Sequence, residues 1–327
     1  MGDDATDRMS GAAAYGGTAW RSRVRSHRDD VGTLWRMCGV DSEWRELRTV
    51  LLHAPGDELG VVAAEADESL LLAPIEVARA REEHLAMTDL YRSLGVEVIE
   101  VLPATDPSPN QMFCADLFVM TPQGAILARP ASVARAGEEV AVARRLAAIG
   151  VPILRTLTGD AVFEGADLMW LDETTAVVGR GPRTNQQAID QIATTLHEIG
   201  CEVLAVDLPF GTMHLMGMLR IAAADLAVCW QRRTPHAAVE ALRERGFEIV
   251  FVPEGESSEP DRAINFVTLG PRRILMVDGL PGARRRFEEN GIECFASPTD
   301  ELSNAAGNIG CLTGIIERET LIANRAP

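Results

Sequence analysis

The chain has 327 residues, of which 46% are hydrophobic and 24% charged, a composition typical of a globular protein whose core needs no metal or disulfide. The net charge of −17 argues against nucleic acid and anionic membranes as partners. All 31 basic residues are arginine, so reactions that need a lysine Schiff base, a pyridoxal-phosphate lysine or a Walker-A lysine are excluded.

The cysteines and the apolar runs bear on localisation. The six cysteines lie far apart in the sequence without a CxxC pair, which predicts free thiols in a reducing cytoplasm and no structural metal site. No apolar run approaches the ~18 residues that span a bilayer. The first ~30 residues lack apolar periodicity, so we expect a mobile extension there.

Five helical stretches in chain order each end at a glycine that is followed by an apolar strand. These glycines are Gly95, Gly150, Gly200, Gly246 and Gly291. Two apolar runs joined by turn-forming residues precede each of the last four helices and predict a hairpin. These hairpin segments are LFVMTPQGAILA, LMWLDETTAVVG, MLRIAAADLAVCW and NFVTLGPRRILMV.

The first unit has only one obvious strand, LRTVLLHAP, before its helix. We expect its missing partner to be CLTGIIE from the other end of the chain, which would close five strand–strand–helix–strand units into a ring. A doubly wound parallel sheet is the competing interpretation of the same alternation. The paired strands count against it, because a parallel crossover needs only one strand.

Polar residues lie just before the hairpins, in the segments FCAD, FEGAD and MHLMG. In a closed ring these junctions point towards one axis, so Asp116, Glu164, Asp167 and His214 are expected to converge. Cys311, within the glycine-rich NAAGNIGCLTG, takes the fifth such position. The acids of the FEGAD segment, and Asn265 before the fourth hairpin, could equally be turn residues.

This set of side chains suits a planar guanidinium, whose N–H groups match carboxylate oxygens. The guanidino carbon is a poor electrophile, and attack on it needs a strong nucleophile such as a thiolate. A histidine can protonate the leaving amine and later deprotonate water. The residues therefore indicate a nucleophile–base pair of Cys311 and His214.

Four segments, FCAD, EGADLMWLDETTAVVGRGPRTN, HLMG and GNIGCLTG, occur in the order found in the guanidino-modifying enzymes. The chain thus resembles that superfamily of amidinotransferases, arginine deiminases and dimethylarginine dimethylaminohydrolases over roughly residues 48–318. The resemblance implies a five-bladed α/β propeller (pentein) of five ββαβ units. We expect residues 1–45 to form a partly disordered extension and residues 46–322 a single catalytic domain.

The resemblance also implies roles for individual residues. Cys311, His214 and Glu164 match the catalytic groups, and Asp116 matches the aspartate that pairs with the guanidinium. The remaining expected substrate-binding residues are Asp167, Arg183, Arg135, Asn110 and Met216. Arg183 and Arg135 would hold a carboxylate.

Two positions depart from the family pattern. Met216 stands where deiminases and transferases usually carry an aspartate, which is nearer to the hydrolase branch, and Asn110 replaces an aspartate near the substrate's amino head. We therefore expect a hydrolase that acts on arginine or an arginine-like cation through a covalent amidino-thioether, without a cofactor. An amidinotransferase remains the alternative, followed by an arginine dihydrolase that gives ornithine and by a non-catalytic binding propeller. Formation of a homo-oligomer is left open.

Overall fold

The computed structural model describes residues 9, 11–61, 63–102, 107–255 and 259–320. Within these ranges the chain forms fifteen strands in five three-stranded sheets. The strands are β1 (Leu47–Leu52), β2 (Glu97–Glu100), β3 (Phe118–Thr121), β4 (Gly124–Leu127), β5 (Ile153–Thr156), β6 (Leu168–Asp172), β7 (Thr175–Arg180), β8 (Glu202–Asp207), β9 (Leu219–Ala223), β10 (Leu226–Trp230), β11 (Glu248–Val252), β12 (Val267–Gly270), β13 (Arg273–Val277), β14 (Glu293–Ser297) and β15 (Gly314–Arg318).

The helices alternate with these strands. Those described are α1 (His27–Asp30), α2 (Val77–Ser93), α3 (Cys114–Leu117), α4 (Glu138–Ala148), α5 (Gln186–Glu198), α6 (His236–Glu244), α7 (Pro260–Ala263), α8 (Pro281–Glu289) and α9 (Ile309–Leu312). Short 3₁₀ turns cover Ala13–Tyr15, Asp57–Leu59, Ala63–Glu65, Val133–Arg135, Gly165–Asp167, Leu215–Gly217 and Leu302–Ala305.

Each long helix ends as the sequence predicts. The glycine after α2, Gly95, has φ of 81°, and the four glycines after α4, α5, α6 and α8 also have positive φ. The following residue closes the turn, as when the Val96 N–H donates to the Tyr91 carbonyl at 3.0 Å. Such a left-handed residue satisfies the last helical carbonyls and sends the chain back along the sheet.

All five sheets share one topology. Strand β4 pairs antiparallel with β3 and parallel with β5, and the sheets of β6–β8, β9–β11 and β12–β14 repeat this pattern. Two strands from a hairpin and a third that returns after a helix make a ββαβ unit. The doubly wound alternative is therefore wrong, because no single sheet joins the units within the described chain.

The fifth sheet joins the first and last strands of the described chain. Strand β1 pairs antiparallel with β15, with Val50 opposite Ile315, and parallel with β2. Contacts run from β15 to β3 and from β9 to β12, and β12 contacts β1. The predicted closure by CLTGIIE and the five-bladed α/β propeller are thus confirmed.

Residues 36–45 are attached to this ring. The Gly39 N–H donates to the Ile316 carbonyl at 3.0 Å, and the Val40 N–H donates to that of Thr121 at 3.2 Å. The Glu43 carboxylate accepts from the Trp170 N–H at 3.0 Å. The division at residue 45 remains a prediction, and its outermost parts, 1–8, 10 and 321–322, lie outside the described residues.

The core lies between the sheets and the helices that cover them, as three clusters of buried apolar side chains. Within the described part of the chain, no helix combines the length and apolarity that crossing a membrane requires.

Two histidines are buried in this core. His84 on α2 is 4% exposed and His53, just after β1, is 2% exposed. Burial, reinforced by the charge of His53, lowers the pKa of His84 to about 4. Burial likewise lowers the pKa of His53.

This burial predicts a loss of stability in mild acid. The unfolded chain binds protons at His84 below about pH 6.5, whereas the folded chain resists protonation down to about 4. The free energy of unfolding should therefore fall by about 2 kcal/mol between pH 7 and pH 5 through His84 alone. Urea unfolding at both pH values should show a smaller fall in His84→Leu. The exposed His197→Leu is the control, and an equal fall in all three proteins would contradict the assignment.

Candidate active site

The site is built from five short turns that precede the inner strands. These turns are α3, Gly165–Asp167, Leu215–Gly217, α7 and α9, which lead into β3, β6, β9, β12 and β15. The turn α3 contacts both α9 and Gly165–Asp167, and the latter contacts Leu215–Gly217. The side chains that the turns bring to the axis are Asp116, Glu164, His214, Asn265 and Cys311.

His214 is held by two carboxylates. Its Nε2 lies 2.7 Å from Glu164 Oε2, and its Nδ1 lies 3.8 Å from Asp116 Oδ1. Burial alone would lower the pKa of His214, but Asp116, the hydrogen bond to Glu164 and the charge of Asp167 outweigh it and raise the pKa to about 9. The ring is therefore an imidazolium at neutral pH.

Two arginines share these carboxylates. Arg135 Nη1 donates to Asp116 Oδ2 at 2.7 Å and to Glu164 Oε2 at 3.3 Å. Arg183 Nη1 donates to Glu164 Oε1 at 3.1 Å. Burial opposes ionisation of Glu164, but the hydrogen bond from His214 and the charges of His214, Arg135 and Arg183 hold its pKa well below the usual range.

Glu138 is a further acid of the cluster that sequence reasoning missed. Its Oε2 accepts from Arg135 Nε at 2.9 Å, and burial raises its pKa to about 7 against the opposing charge of Arg135. The signal available in the sequence was its position three residues after Arg135 in the first turn of a helix. Glu138 fixes the direction in which the Arg135 guanidinium points.

Cys311 is held by the side chain of Asn265, a residue that from the sequence could equally be a turn residue. Asn265 Nδ2 donates to Cys311 Sγ at 3.1 Å, and the Cys311 N–H donates to Asn265 Oδ1 at 3.2 Å. Burial and the charge of Asp116 raise the pKa of the Cys311 thiol, while Asn265, the backbone at Asn308 and the charge of Arg220 oppose them. The free site thus combines an imidazolium with a thiol.

The neighbouring Gly310 leaves room for these protein groups. A Cβ there would lie 1.9 Å from Arg220 Nη2 and 2.7 Å from Asn265 Oδ1. The glycine therefore admits the side chains that support Cys311. Arg220, which the sequence did not single out, is 6% exposed and places a positive charge behind the thiol.

Two cavities meet at Cys311. The first, which we call the charged cavity, is about 20 Å³ and includes Asn110, Asp116, Arg135 and Arg183 in its lining. Asp116 Oδ1 and Arg135 Nη2 have no hydrogen-bond partner among the described residues. Asn110 uses its amide to donate to the Ser69 carbonyl at 2.8 Å. Among the side chains that line the charged cavity, a buried acceptor and a buried donor are therefore free.

The second, which we call the apolar cavity, is larger, at about 220 Å³. Cys311 and His214 line it, together with Met216, Met218 and Trp230. Met216 also lines a third cavity of about 60 Å³ that reaches Val40 and Glu43 of the N-terminal segment.

Asp167 differs from the other predicted substrate ligands. Its Oδ2 accepts from the Thr184 hydroxyl at 2.6 Å and its Oδ1 accepts from the Leu215 N–H at 2.9 Å. It is fully buried and belongs to the lining of neither the charged nor the apolar cavity. The structure thus places Asp167 behind the backbone that carries His214.

The same cluster includes three potential metal ligands. Atoms of Asp116, Glu164 and His214 lie within 4.8 Å of one another, close enough to surround an ion. Arg135 and Arg183 already donate to the two carboxylates, and His214 faces both acids as an imidazolium. This donor set is better matched to N–H groups of a cation than to a metal, which would need a neutral histidine.

Comparison with known proteins agrees with this fold. The family described as N,N dimethylarginine dimethylhydrolase, eukaryotic, matches residues 71–290, which include Asp116, Glu164 and His214 but end before Cys311. The protein YkgA of Bacillus subtilis is 26% identical over 239 residues, or 73% of this chain and 80% of that protein. An N(G),N(G)-dimethylarginine dimethylaminohydrolase of Streptomyces coelicolor is 27% identical over 234 residues, or 72% and 84%.

Solved structures show the same fold. A dimethylarginine dimethylaminohydrolase from Pseudomonas aeruginosa, complexed with citrulline, aligns with a TM-score of 0.68 and 21% identity over 83% of this chain and 99% of that chain. SxtG, an amidinotransferase from Microseira wollei, aligns with a TM-score of 0.71 and 14% identity over 87% and 98%.

The propeller and its ring of polar junctions define a guanidino-modifying enzyme, either a hydrolase or an amidinotransferase. Within that superfamily, the chain belongs to the N,N-dimethylarginine dimethylhydrolase family, whose match covers well over half of its length.

The contact between Asn265 and Cys311 predicts how the thiol ionises. Asn265→Ala removes the donor to Sγ and should slow alkylation of Cys311 by iodoacetamide at pH 8 about fivefold, because the thiolate loses a hydrogen bond. The measurement is the rate of Cys311 labelling between pH 6 and 10 by peptide mass spectrometry. Asn290→Ala, at the end of α8, is the matched control. A profile in Asn265→Ala identical to that of the unmodified protein would contradict this role.

Proposed function

We propose that the chain is a hydrolase that acts on the guanidino carbon of arginine or an arginine-like compound through a covalent amidino-thioether on Cys311. The observation that carries the proposal is the buried Asp116 Oδ1, which accepts no hydrogen bond from the described residues. It lies beside the His214 imidazolium and in the lining of the same charged cavity as Cys311. A guanidinium N–H is the donor that this oxygen lacks.

Substrate binding would also activate the nucleophile. The charge of Asp116 is one cause of the raised pKa of Cys311. A guanidinium bound to Asp116 offsets that charge and adds a positive charge next to the sulfur, so the thiolate becomes more stable. The thiol is thereby ionised when the substrate is present to be attacked.

The reaction then proceeds in two halves. The Cys311 thiolate adds to the guanidino carbon, the bond from that carbon to one nitrogen breaks, and the leaving amine takes a proton from His214. Water next adds to the amidino carbon and gives up a proton to the now neutral His214. The carbon–sulfur bond breaks, which releases a ureido product and restores Cys311.

The remaining predicted residues support these steps. Glu164 holds His214 in place and maintains its charge through the 2.7 Å hydrogen bond. Arg135 has a free Nη2 in the charged cavity, where it could bind a carboxylate of the substrate together with Arg183. Asp167 acts as a positioning residue, since it binds the Leu215 N–H next to His214.

Intact-protein mass spectrometry during turnover tests the proposal. The protein is quenched while it reacts with arginine, methylated arginines or agmatine, and we expect an amidino adduct on Cys311. Cys311→Ser should abolish both adduct and product, whereas Cys294→Ser, on the outer strand β14, should retain them. Citrulline or another ureido product should accumulate in the reaction mixture.

Three other outcomes would contradict the hydrolase. Ornithine that appears only with an added acceptor amine would make the chain an amidinotransferase. Ornithine with ammonia and carbon dioxide would make it an arginine dihydrolase. Absence of an adduct, together with ligand binding that survives in Cys311→Ser, would make it a binding propeller.

A further inference from the structure

The two cavities at Cys311 differ in character. Their linings share Cys311, Met213 and Ala306. Asp116, Arg135 and Arg183 line only the charged cavity, whereas the described lining of the apolar cavity contains no aspartate or glutamate. A guanidino carbon that lies at Cys311 therefore has the acids on one side and, on the other, a cavity in which methionines and Trp230 lie beside the cations His214 and Arg233.

The apolar cavity has a preformed wall. The Trp230 indole donates from Nε1 to Glu254 Oε1 at 2.8 Å. The Arg233 guanidinium lies 4.9 Å from the centre of the same ring and donates to the Gly211 carbonyl at 2.9 Å. The indole is therefore fixed before any ligand arrives, so little conformational entropy is lost on binding.

The other lining side chains are deformable. Met213, Met216 and Met218 all line the cavity, and methionine packs well against both alkyl and aromatic groups. Phe210, on the same loop as Met213, is fully exposed to solvent and adds apolar surface next to the cavity. This combination of a rigid aromatic wall and adaptable methionines suits an uncharged hydrocarbon group.

The volume of the cavity sets the size of that group. An apolar cavity of about 150 Å³ in another protein accommodates benzene, whereas this one is about 220 Å³. One or two methyl carbons would leave most of it to water and would contact little of the apolar lining. A group of about six or more carbons is needed to fill it.

The position of His214 identifies the nitrogen that carries this group. His214 lines the apolar cavity but not the charged cavity. Because the leaving nitrogen receives its proton from His214, which borders the apolar cavity, a substituent on that nitrogen can extend into the cavity. The two nitrogens that stay with the carbon lie on the side of Asp116.

We propose that the substrate is an N-substituted guanidine whose departing nitrogen carries a bulky apolar alkyl or arylalkyl group, which occupies the cavity between Met216, Met218 and Trp230. The inference rests on the proposed hydrolase activity and names its substrate class. In the reaction, Cys311 Sγ bonds to the guanidino carbon and the bond from carbon to the substituted nitrogen breaks. That nitrogen leaves with the proton of His214 as a primary amine, and water converts the remaining amidino group into a urea.

The test compares substrates that differ only in this group. Nω-benzyl-L-arginine should be hydrolysed with a kcat/KM at least about tenfold above that of Nω-methyl-L-arginine, since one added methylene in an apolar pocket already gives about tenfold. The products should be benzylamine and citrulline. Benzylguanidine against methylguanidine repeats the comparison for a substrate without an amino-acid head.

Variants of the cavity wall localise the effect. Trp230→Ala should lower kcat/KM for the benzyl substrate about tenfold more than for the methyl substrate, because only the larger group reaches the indole. Trp230→Phe should recover most of the loss and shows that the site is still folded. Trp20→Ala removes an exposed tryptophan of the N-terminal segment and is the matched control.

The possible failures are distinguishable. A methyl substrate that reacts as well as the benzyl substrate, with an adduct on Cys311, overturns this inference and leaves the hydrolase intact. Products of ornithine and benzylurea overturn it as well, since the substituted nitrogen has then been retained. Absence of an adduct on Cys311 with either substrate overturns both the inference and the proposed function.

Discussion

The antiparallel pairing of β1 with β15 is the constraint on which the site depends. It unites the first and last strands of the described chain in one sheet, with Leu51 opposite Gly314. A Cβ at Gly314 would lie 2.5 Å from the Phe118 ring, so β15 approaches β3 as closely as a glycine permits. Cys311 lies three residues before Gly314 and is thereby brought to the junction that carries Asp116. Cys311 belongs to the ring only because the ring closes there.

Closure of the ring brings together charged side chains that are far apart and hydrated in the unfolded chain. Asp116, Glu138 and Glu164 lie against Arg135, Arg183 and an imidazolium, and the three acids are almost completely buried. Removal of one member would leave a buried charge without compensation, which is strongly destabilising. When a cation enters this cluster, the release of a proton restores the balance of charge. The charge of Asp116 helps to keep the Cys311 thiol protonated, so this thiol is the group that can release the proton. In the proposed mechanism, the same electrostatic balance therefore stabilises the site and couples substrate binding to ionisation of the thiol.

The sequence predicted features governed by local chemistry and missed those set by distant side chains. Gly95 and its four equivalents mark helix ends because a left-handed residue is needed there, and that spacing was sufficient to derive five units. The convergence of Asp116, Glu164 and His214 followed from the ring. The bonds from Arg135 to Asp116 and Glu164, and the bond from Asn265 to Cys311, depend on rotamers of side chains on separate elements, which periodicity does not encode. The sequence does not show that the two acids of FEGAD differ in role. In the structure Glu164 contacts His214, whereas Asp167 binds the Thr184 hydroxyl and the Leu215 N–H.

The ring also explains how one fold can present different surroundings to the same reacting carbon. The acids lie on the neighbouring junctions before β3 and β6, so one sector of the axis is charged. The next junction carries His214 and then Met216, and strand β10 adds Trp230 to that sector. Met216 lines both the apolar cavity and the third cavity. Its side chain therefore contributes to the polarity of the space beside the His214 imidazolium. An acid at this position would hold a second edge of the guanidinium and disfavour a hydrocarbon group. Methionine reverses that preference while leaving the cysteine, the histidine and the charged sector unchanged.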